Sequence, residues 1–425
     1  MDYMYICDHV SLCVQVIAEF GTDHVYNCDT FNEMVPSSGE LDYLSAVGHA
    51  TFQAMIDIDP TAIWWLNLLV YFQGRMLVLD LQSEQHEQYT TYSSYFGQPF
   101  IWCMLHNFGG TLGLFGSMSI INQKVFVARA LPNGTMVGTG LTPEGINQNY
   151  VIYDLMTEMS WRTEPTNLTQ WVSAYATRRY GEENDDSNQA WDLLKAWFNV
   201  SDVASAWYHL LTASPHLESV PTFQHDLVDV TRQVLQNLGT SLYVIIVDAY
   251  RSKNISSFQN NAALMLDLLT DLDNVLSSNR AFLLGTWLES AKALATTPLE
   301  AQKYEYNARN QITLWGPNGE IRDYANKQWA GVVINYFRPR WELFLGALHT
   351  SLVTGVEFNQ TEVNNQIFNV ELRFTLDQTI FPHLPKGNSV EIAWQLHQKW
   401  GGKLESGPCW EQSWQQEGGP QVALV

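Results

Sequence analysis

Two glutamates stand just past short stretches of strand character, at points where a loop begins. Glu33 lies within residues 29–34, after the strand-like residues 24–26, and Glu144 lies within residues 138–145, after Met136 and Val137. Cleavage of a glycosidic bond needs one carboxylic acid that protonates the leaving oxygen and one carboxylate that attacks the sugar or activates water. A barrel of parallel strands positions such groups, because the loops at the carboxyl ends of its strands meet at one mouth. The two glutamates therefore predict a hydrolase.

Neighbouring residues favour this interpretation. Asn32 precedes Glu33 and can donate its amide to the 2-substituent of a sugar, while the glycines around Glu144 let a ligand approach the backbone closely. Against it stands the composition: the chain contains 44 acidic residues, so each glutamate could be an ordinary surface carboxylate. Only placement in a cleft distinguishes the two cases.

Two further side chains near the predicted mouth invite a functional interpretation. Trp102 could stack its ring on the C–H face of a sugar or pack inside the barrel, and the sequence leaves both interpretations open. His106 and Asn107 follow the same predicted strand, but a lone histidine there is typical of a hydrogen-bonded structural group. No second ligand stands at a metal-binding spacing from His106, so we predict no metal.

Other classes of enzyme lack their signatures in this sequence. It contains no Gly-X-Ser-X-Gly nucleophile elbow, no phosphate-binding glycine-rich loop and no dinucleotide fingerprint, so no cofactor is predicted. The net charge of −22, without a cluster of Lys or Arg, argues against nucleic acid and anionic membrane surfaces as partners. No uninterrupted apolar stretch is long enough to span a bilayer.

The hydrophobic pattern changes near residue 150. Before it, five apolar runs predict strands, at residues 24–28, 62–69, 76–81, 100–105 and 135–139. A helix is predicted over 41–56, with an apolar face formed by Leu44, Val47, Ala50 and Ala54. After residue 150 the period is 3.6, in stripes that comprise Leu227, Val230, Val234, Leu238, Leu242 and Ile245, and Trp191, Leu194 and Phe198. A capping box with proline at the first helical position begins a further helix at residues 297–300.

The predicted fold class is therefore α/β plus all-α. Nearly continuous apolar strands alternating with helices indicate a βα architecture, but five strands do not close a barrel that requires eight. We interpret the first part as the carboxyl half of a TIM-type (β/α)8 barrel, whose missing strands would precede residue 1, and the second as an α-helical domain. The predicted boundaries are an atypical amino-terminal segment (1–18), the partial barrel (19–150), the helical domain (151–400) and a disordered tail (401–425).

Cysteines and sequons bear on the compartment. Five scattered cysteines fit neither a disulfide framework nor a zinc site: Cys7, Cys13, Cys28, Cys103 and Cys409. The first 16 residues lack the features of a secretion signal. Five Asn-X-Ser/Thr sequons are nevertheless present, at Asn133, Asn167, Asn199, Asn254 and Asn359. Each is weak evidence alone, because such triplets arise often by chance.

Several long motifs make the chain similar to a known family. These are TFNEM (30–34), GQPFIWCMLHNFGG (97–110), MVGTG (136–140), PEG (143–145), LWGP (314–317) and DYANKQ (323–328). Through them the chain resembles the lysosomal α-N-acetylglucosaminidases of glycoside hydrolase family 89, from about residue 19 to about residue 400. The resemblance implies a lysosomal glycoprotein whose signal and front part are missing here.

The resemblance also implies a reaction and a site. The family removes terminal, non-reducing α-linked N-acetyl-D-glucosamine, as in heparan sulfate degradation, by a retaining double displacement. Glu33 matches the family's acid/base and Glu144 its nucleophile. Trp315, Ile321 and Tyr324, around a predicted Gly-Pro-Asn-Gly turn, match positions of its sugar pocket.

A rival hypothesis is a catalytically inactive, truncated family member that binds glycans or is unstable. Between the strand patterns that end at residue 70 and begin at residue 76 only five residues remain, which permit a hairpin but not the crossover of roughly a dozen residues between parallel neighbours. Compared with the family, a helix and an aromatic segment of the pocket wall are missing there. Whether the half-barrel closes by association with another copy also stays open.

Overall fold

The computed structural model divides into two compact units. The described residues are 14–15, 17–28, 35–66, 75–106, 113–145, 149–195 and 199–404. The first unit takes its described residues from 1–106, 118–144 and 152–166 and contains the sheet. The second takes them from 107–117, 145–151 and 167–425 and is helical. Asn32, Glu33, Asn107, Phe198 and residues 405–425 of the predicted tail lie outside the described residues, whereas residues 401–404, which were also expected to be disordered, belong to the last helix.

The first unit is built on a sheet of five parallel strands in the order β1-β2-β3-β4-β5. They are β1 (Val25–Asn27), β2 (Ile63–Leu66), β3 (Met76–Asp80), β4 (Phe100–Met104) and β5 (Met136–Leu141). The five predicted strands are thus confirmed, with ends that differ by a few residues. Their apolar character reflects burial, since Phe100, Trp102 and Met104 are each 0% exposed.

The pairing of β2 with β3 corrects one argument from spacing. The two strands pair in parallel, with Trp64 opposite Met76, although a short link was expected to permit only a hairpin. The described part of β2 reaches Leu66, and β3 begins at Met76. Residues 67–74 of this connection lie outside the described residues.

Among the described residues from 35 to 166, four helices accompany the strands in sequence, besides a short turn at Ser93–Phe96 in which Ser94 and Tyr95 are left-handed. They are α1 (Leu41–Ile56), α2 (Ser83–His86), α3 (Met118–Arg129) and α4 (Tyr150–Met159). Helix α1 has the predicted bounds, but its buried residues are Gly48, Thr51, Phe52 and Met55. The predicted apolar face was wrong by about one position, because the larger side chains Phe52 and Met55 take the inner side and leave the alanines half-buried.

The second unit is almost entirely α-helical. Its helices are α5 (Leu168–Tyr180), α6 (Asp185–Leu194), α7 (Val200–Leu217), α8 (Pro221–Arg251), α9 (Ile255–Ser277), α10 (Leu284–Lys292), α11 (Pro298–Gln311), α12 (Arg338–Thr354), α13 (Gln360–Leu376) and α14 (Ser389–Leu404). A 3₁₀ turn precedes α10 at Arg280–Phe282, and a π-helical turn at Val333–Phe337 leads directly into α12.

Sequence periodicity located the core of this unit. Helix α8 buries the predicted stripe from Leu227 to Leu242, but continues it with Ile246 where Ile245 was expected. The capping box is confirmed: Thr297 and Glu300 bond each other's backbone amides at the start of α11, and Pro298 is the first helical residue. Within the described residues, no helix has the length and apolarity needed to cross a membrane.

A tight contact between β4 and β5 gives a test of the sheet. Gly140 on β5 lies opposite Cys103 on β4, and a Cβ atom at Gly140 would stand 2.7 Å from the Cys103 Sγ atom. A Cβ atom at Gly138, on the same strand, would meet nothing within 4 Å. We expect Gly140→Ala to lower the free energy of unfolding by about 1–3 kcal/mol through overpacking, and Gly138→Ala to change it little. Urea denaturation measures both.

The double variant Gly140→Ala/Cys103→Ala identifies the contact. Removing Sγ should relieve the clash, so the double variant should lose less stability than the sum of the two single losses. Additive losses, or a Gly140→Ala variant as stable as Gly138→Ala, would contradict this packing.

Candidate active site

Parallel pairing places the carboxyl ends of all five strands at one edge of the sheet. Strands β1 and β5 are the outermost strands, and the predicted acid/base and nucleophile follow them. Glu144 comes three residues after Leu141, the last residue of β5. Glu33 comes six residues after Asn27, the last residue of β1, and lies outside the described residues together with Asn32.

The chain is held in place where it leaves each of these strands. After β1, the indole N–H of the fully buried Trp64 donates to the Cys28 carbonyl oxygen at 2.8 Å. After β5, the Thr142 N–H donates to the Met104 carbonyl oxygen at 3.0 Å and extends the ladder past the strand. Glu144 follows two residues later and its side chain is exposed, so it is accessible to a ligand.

Strand spacing limits how the two carboxylates can meet. Neighbouring strands are about 4.8 Å apart, so in a flat sheet the ends of β1 and β5 would be separated by roughly 19 Å. A retaining pair needs carboxyl groups only about 5 Å apart. Convergence therefore depends on the curvature that a barrel gives its sheet, and on residues 29–32, which carry the chain from β1 to Glu33.

Trp102 takes one of its two expected positions. It lies on β4 with 0% of its side chain exposed, so its ring packs inside the first unit. Its indole N–H has no hydrogen-bond acceptor among the described residues.

Sequence analysis missed a buried carboxylate at this edge. The Glu84 carboxylate accepts the backbone N–H of His106 at 2.9 Å and that of Leu105 at 3.3 Å. Helix α2 is thereby tied to the end of β4, where His106 adopts a φ of 60°. Burial raises the pKa of Glu84 against the lowering effect of these hydrogen bonds. Nothing in the sequence pattern marks Glu84 as a buried glutamate that binds backbone amides, so this role could not be predicted from sequence.

His106 is a structural group in this arrangement. Its ring is 2% exposed and meets the Tyr153 ring edge-on, with centroids 5.1 Å apart. Burial lowers the pKa of His106 to about 4, so the ring is neutral at mildly acidic pH. Across the described part of the chain, no group of three or more His, Cys, Asp or Glu side chains is arranged to hold a metal ion.

The second unit brings together the three predicted pocket residues that it contains. Trp315, Ile321 and Tyr324 lie on one loop between α11 and the π-helical turn, here called the 315–324 loop. The rings of Trp315 and Tyr324 are 5.2 Å apart, and the Tyr324 N–H donates to the Ile321 carbonyl oxygen at 3.1 Å. Ile321 is 47% exposed. Gly316 has a φ of 137°, which explains why the turn needs glycine there.

Two cations are buried just beyond this loop. Lys327 and Arg232 are each 4% exposed, and the Arg232 guanidinium donates to the Gln328 side-chain oxygen at 2.8 Å. Burial, together with the nearby Arg232, lowers the pKa of Lys327 to about 8. A groove elsewhere in the unit, between α10 and α11, is lined by Trp287 and Tyr304 and by none of the predicted site residues.

Comparison with known proteins identifies both parts of the chain. Residues 9–163 match the family model of the α-N-acetylglucosaminidase (NAGLU) tim-barrel domain, and residues 194–399 match that of the NAGLU C-terminal domain. Human α-N-acetylglucosaminidase is 43% identical over 437 residues, which cover 91% of this chain and 59% of the human protein. The aligned stretch exceeds the 425 residues of this chain, so residues of the human protein within it have no counterpart here.

Solved structures agree on the fold. A family 89 glycoside hydrolase from Clostridium perfringens, in complex with 2-acetamido-1,2-dideoxynojirimycin, matches with a TM-score of 0.81 and 24% identity, over 89% of this chain and 49% of that one. A variant from the same bacterium, with two glutamates replaced by glutamine, was solved with its substrate GlcNAc-α-1,4-galactose and has the same score, over 91% of this chain and 50% of that one. This chain thus consists of a partial barrel and a helical domain, and spans about half to three fifths of these relatives.

The buried Lys327 makes a prediction about stability and pH. Its pKa is about 8 in the folded chain and 10.5 when unperturbed, so between these pH values the unfolded chain binds more protons. The free energy of unfolding should therefore rise with pH across this window, and below it the buried ammonium should cost a few kcal/mol. We expect Lys327→Met to raise the free energy of unfolding at pH 7 and to flatten the rise, as measured by denaturant unfolding from pH 7 to pH 10.

Lys303, exposed on α11, provides the control. Lys303→Met should leave both the stability and its pH dependence close to those of the unaltered chain. A Lys327→Met variant that is less stable at pH 7, or that keeps the full rise, would refute the assignment of the rise to Lys327.

Proposed function

Because the chain belongs to the α-N-acetylglucosaminidase family, we propose that it hydrolyses the bond between a terminal, non-reducing α-linked N-acetyl-D-glucosamine and the rest of a glycan. The observation that best supports this proposal is that both glutamates are present, each after a strand that ends at the same edge of one parallel sheet. The name of the human relative and the substrate bound to the bacterial double-glutamine variant support it.

In the proposed mechanism Glu144 is the nucleophile and Glu33 the acid/base. The Glu144 carboxylate attacks the anomeric carbon while the Glu33 carboxylic acid protonates the departing glycosidic oxygen, which leaves a covalent glycosyl-enzyme. Glu33, now ionised, takes a proton from water, and the hydroxide oxygen displaces Glu144 from the anomeric carbon. Two inversions give net retention, and both carboxyl groups return to their starting protonation states.

The remaining predicted site residues bind the sugar. The paired rings of Trp315 and Tyr324 offer a surface for its C–H face, Ile321 an exposed apolar contact, and Asn32 an amide donor for the acetamido group. Trp102, buried on β4, supports the site from within the barrel.

The proposed substrate is the end of a heparan sulfate chain, and the proposed compartment is the lysosome. The terminal N-acetylglucosamine is neutral, so a protein with a net charge of −22 can accept it in a pocket without electrostatic steering. Acidic pH would also help Glu33 to hold the proton that it must donate.

A second candidate is a family member that binds the terminal sugar but does not cleave it. The specific observation in its favour is the set of human residues without counterpart here, together with the short connection between β2 and β3. A wall of the pocket built from that connection would be incomplete, while both glutamates would still be present.

Release of a chromophore from an aryl α-N-acetylglucosaminide at mildly acidic pH tests the enzyme. We expect turnover by the purified chain, and a loss of at least about 10³-fold in Glu33→Gln and Glu144→Gln, because each removes a group that acts on the reacting bond. Glu164→Gln, an exposed carboxylate of the first unit, should keep full activity. Sugar binding by the folded chain without turnover would support the second candidate and refute hydrolysis.

Azide, used as a substitute nucleophile, distinguishes the nucleophile from the acid/base. In Glu144→Ala it can take the place of the nucleophile in a single displacement and give the β-glycosyl azide. In Glu33→Ala it can intercept the glycosyl-enzyme and give the α-azide. If Glu144→Ala gave the α-azide and Glu33→Ala gave the β-azide, the roles of the two glutamates would be reversed.

We also propose that the sequons carry glycans on the secretory route. The side-chain oxygens of Asn167, Asn199, Asn254 and Asn359 cap helices α5, α7, α9 and α13, so they accept backbone N–H groups. Glycans are joined to the amide nitrogen, which this geometry leaves out of the cap. Asn133 stands exposed in a turn with a φ of 59°.

Two variants of the Asn254 sequon distinguish the capping role of Asn254 from its glycosylation. Asn254 accepts the Ser257 N–H at 3.0 Å, so Asn254→Ala should cost about 1 kcal/mol of stability in chain made without glycans. Ser256→Ala removes the sequon, leaves the cap, and should cost little. In chain secreted by eukaryotic cells, both variants should lose the mass of one glycan. Unchanged mass in both would refute modification at Asn254.

A further inference from the structure

The 315–324 loop is anchored at one end by a buried carboxylate. Asp323 is 8% exposed, and its two side-chain oxygens have different partners: Oδ1 accepts the Tyr336 hydroxyl at 2.8 Å, and Oδ2 accepts Arg340 Nη1 at 2.7 Å. Its backbone N–H donates to the Thr313 carbonyl oxygen at 2.7 Å. The residue before Tyr324 is thus tied to the π-helical turn, to α12 and to the chain that enters the loop.

Arg340 connects this carboxylate to a second one. Its Nε atom lies 3.3 Å from an oxygen of Glu371 on α13, which is 0% exposed, and its guanidinium lies over the Tyr336 ring at 5.1 Å. Arg322 pairs with the other oxygen of Glu371 at 3.1 Å. Burial opposes the charge of Arg340, but its attraction to Asp323, Tyr336 and Glu371 together outweighs burial, so the pKa of Arg340 is raised.

The anchor lies where the backbone is strained. Asp323 has a φ of 59° and Trp315 a φ of 49°, so two residues other than glycine adopt left-handed conformations at the two ends of the loop. Such conformations persist only where surrounding contacts enforce them. At Asp323 those contacts are the bonds to Tyr336, Arg340 and Thr313. Relaxation of this φ would turn the following residue, Tyr324, away from the Trp315 ring.

We propose that Asp323 and Arg340, with Tyr336, form a positioning group that holds Tyr324 against Trp315 and so sets the affinity of the site for the terminal sugar. This inference rests on the proposed function, which gives Trp315 and Tyr324 their role in binding. Both Asp323 oxygens are engaged inside the protein, so the group acts through the loop and is not itself catalytic. Holding the aromatic pair in its bound arrangement reduces the ordering cost that a ligand would otherwise meet.

The second unit contains a matched control. Asp226 is 6% exposed and, like Asp323, accepts both an arginine and a tyrosine: Arg179 at 2.7 Å and the Tyr180 hydroxyl at 2.9 Å. Its arginine and tyrosine partners belong to α5, and Nδ1 of the neighbouring His225 lies 3.0 Å from Oδ1, whereas the partners of Asp323 hold the loop. A variant at either position disrupts a buried Asp–Arg–Tyr cluster, but only the variant at Asp323 should also disturb the loop.

The experiment compares Asp323→Asn with Asp226→Asn in the full chain. Asparagine adopts a positive φ at least as readily as aspartate, so Asp323→Asn tests the ion pair rather than the backbone. Three quantities are measured. They are the affinity for 2-acetamido-1,2-dideoxynojirimycin by calorimetry, KM and kcat on the aryl glycoside, and the rate of hydrogen exchange at the amides of residues 315–324. Tyr336→Phe, which removes one hydrogen bond and keeps the ring, is the milder variant if Asp323→Asn does not fold.

We expect Asp323→Asn to raise Kd and KM ten- to hundredfold, with kcat within about threefold, and to speed hydrogen exchange in the loop. Arg340→Lys should act in the same direction, because lysine cannot span Asp323 and Glu371 with a rigid fork. Asp226→Asn should lower Tm without changing Kd or exchange in the loop. Equal Kd and equal loop exchange in the Asp323 and Asp226 variants would overturn the proposal.

Failure of the proposed function would look different. An unaltered chain that neither binds the inhibitor nor releases the chromophore would refute the function, while loop exchange would still test the anchor. Faster exchange in Asp323→Asn but not in Asp226→Asn would then support positioning of the aromatic pair, and unchanged exchange would refute it.

Discussion

The arrangement of the first unit depends on the parallel pairing of its five strands. Parallel order sends every carboxyl end to the same edge, so residues far apart in sequence, such as Glu144 and the buried Glu84, are carried to one side of the sheet. Backbone hydrogen bonds alone establish this polarity. The side chains then determine what is exposed there, from the accessible Glu144 to the neutral, buried His106.

Sequence patterns predicted what depends on local chemistry. Strands, the bounds of α1, the stripe on α8 and the capping box at Thr297 each follow from neighbouring residues, and each is present. The parallel pairing of β2 with β3 was not predicted, because the few residues between the two apolar runs were expected to permit only a hairpin. The buried face of α1 differs from the predicted one, because side-chain size as well as periodicity determines which side faces inward.

Partners distant in sequence were the least predictable part of the candidate site. Glu84 binds amides 21 and 22 residues away, and Asp323 reaches Arg340 across 17 residues through a π-helical turn. No spacing rule connects such pairs, since they arise from tertiary packing. The motifs around Trp315 and Tyr324 nevertheless drew attention to the loop in which one of these anchors lies.

The conformation of Asp323 makes two demands on one residue. Its φ of 59° favours glycine, asparagine or aspartate, while its contacts with Tyr336 and Arg340 require a charged acceptor with two oxygens. Glycine lacks the acceptor, asparagine lacks the charge, and glutamate does not share the backbone tolerance. Sequence drift at this position should therefore be narrow, and a comparison of many family members would find it nearly as restricted as a residue that touches the substrate.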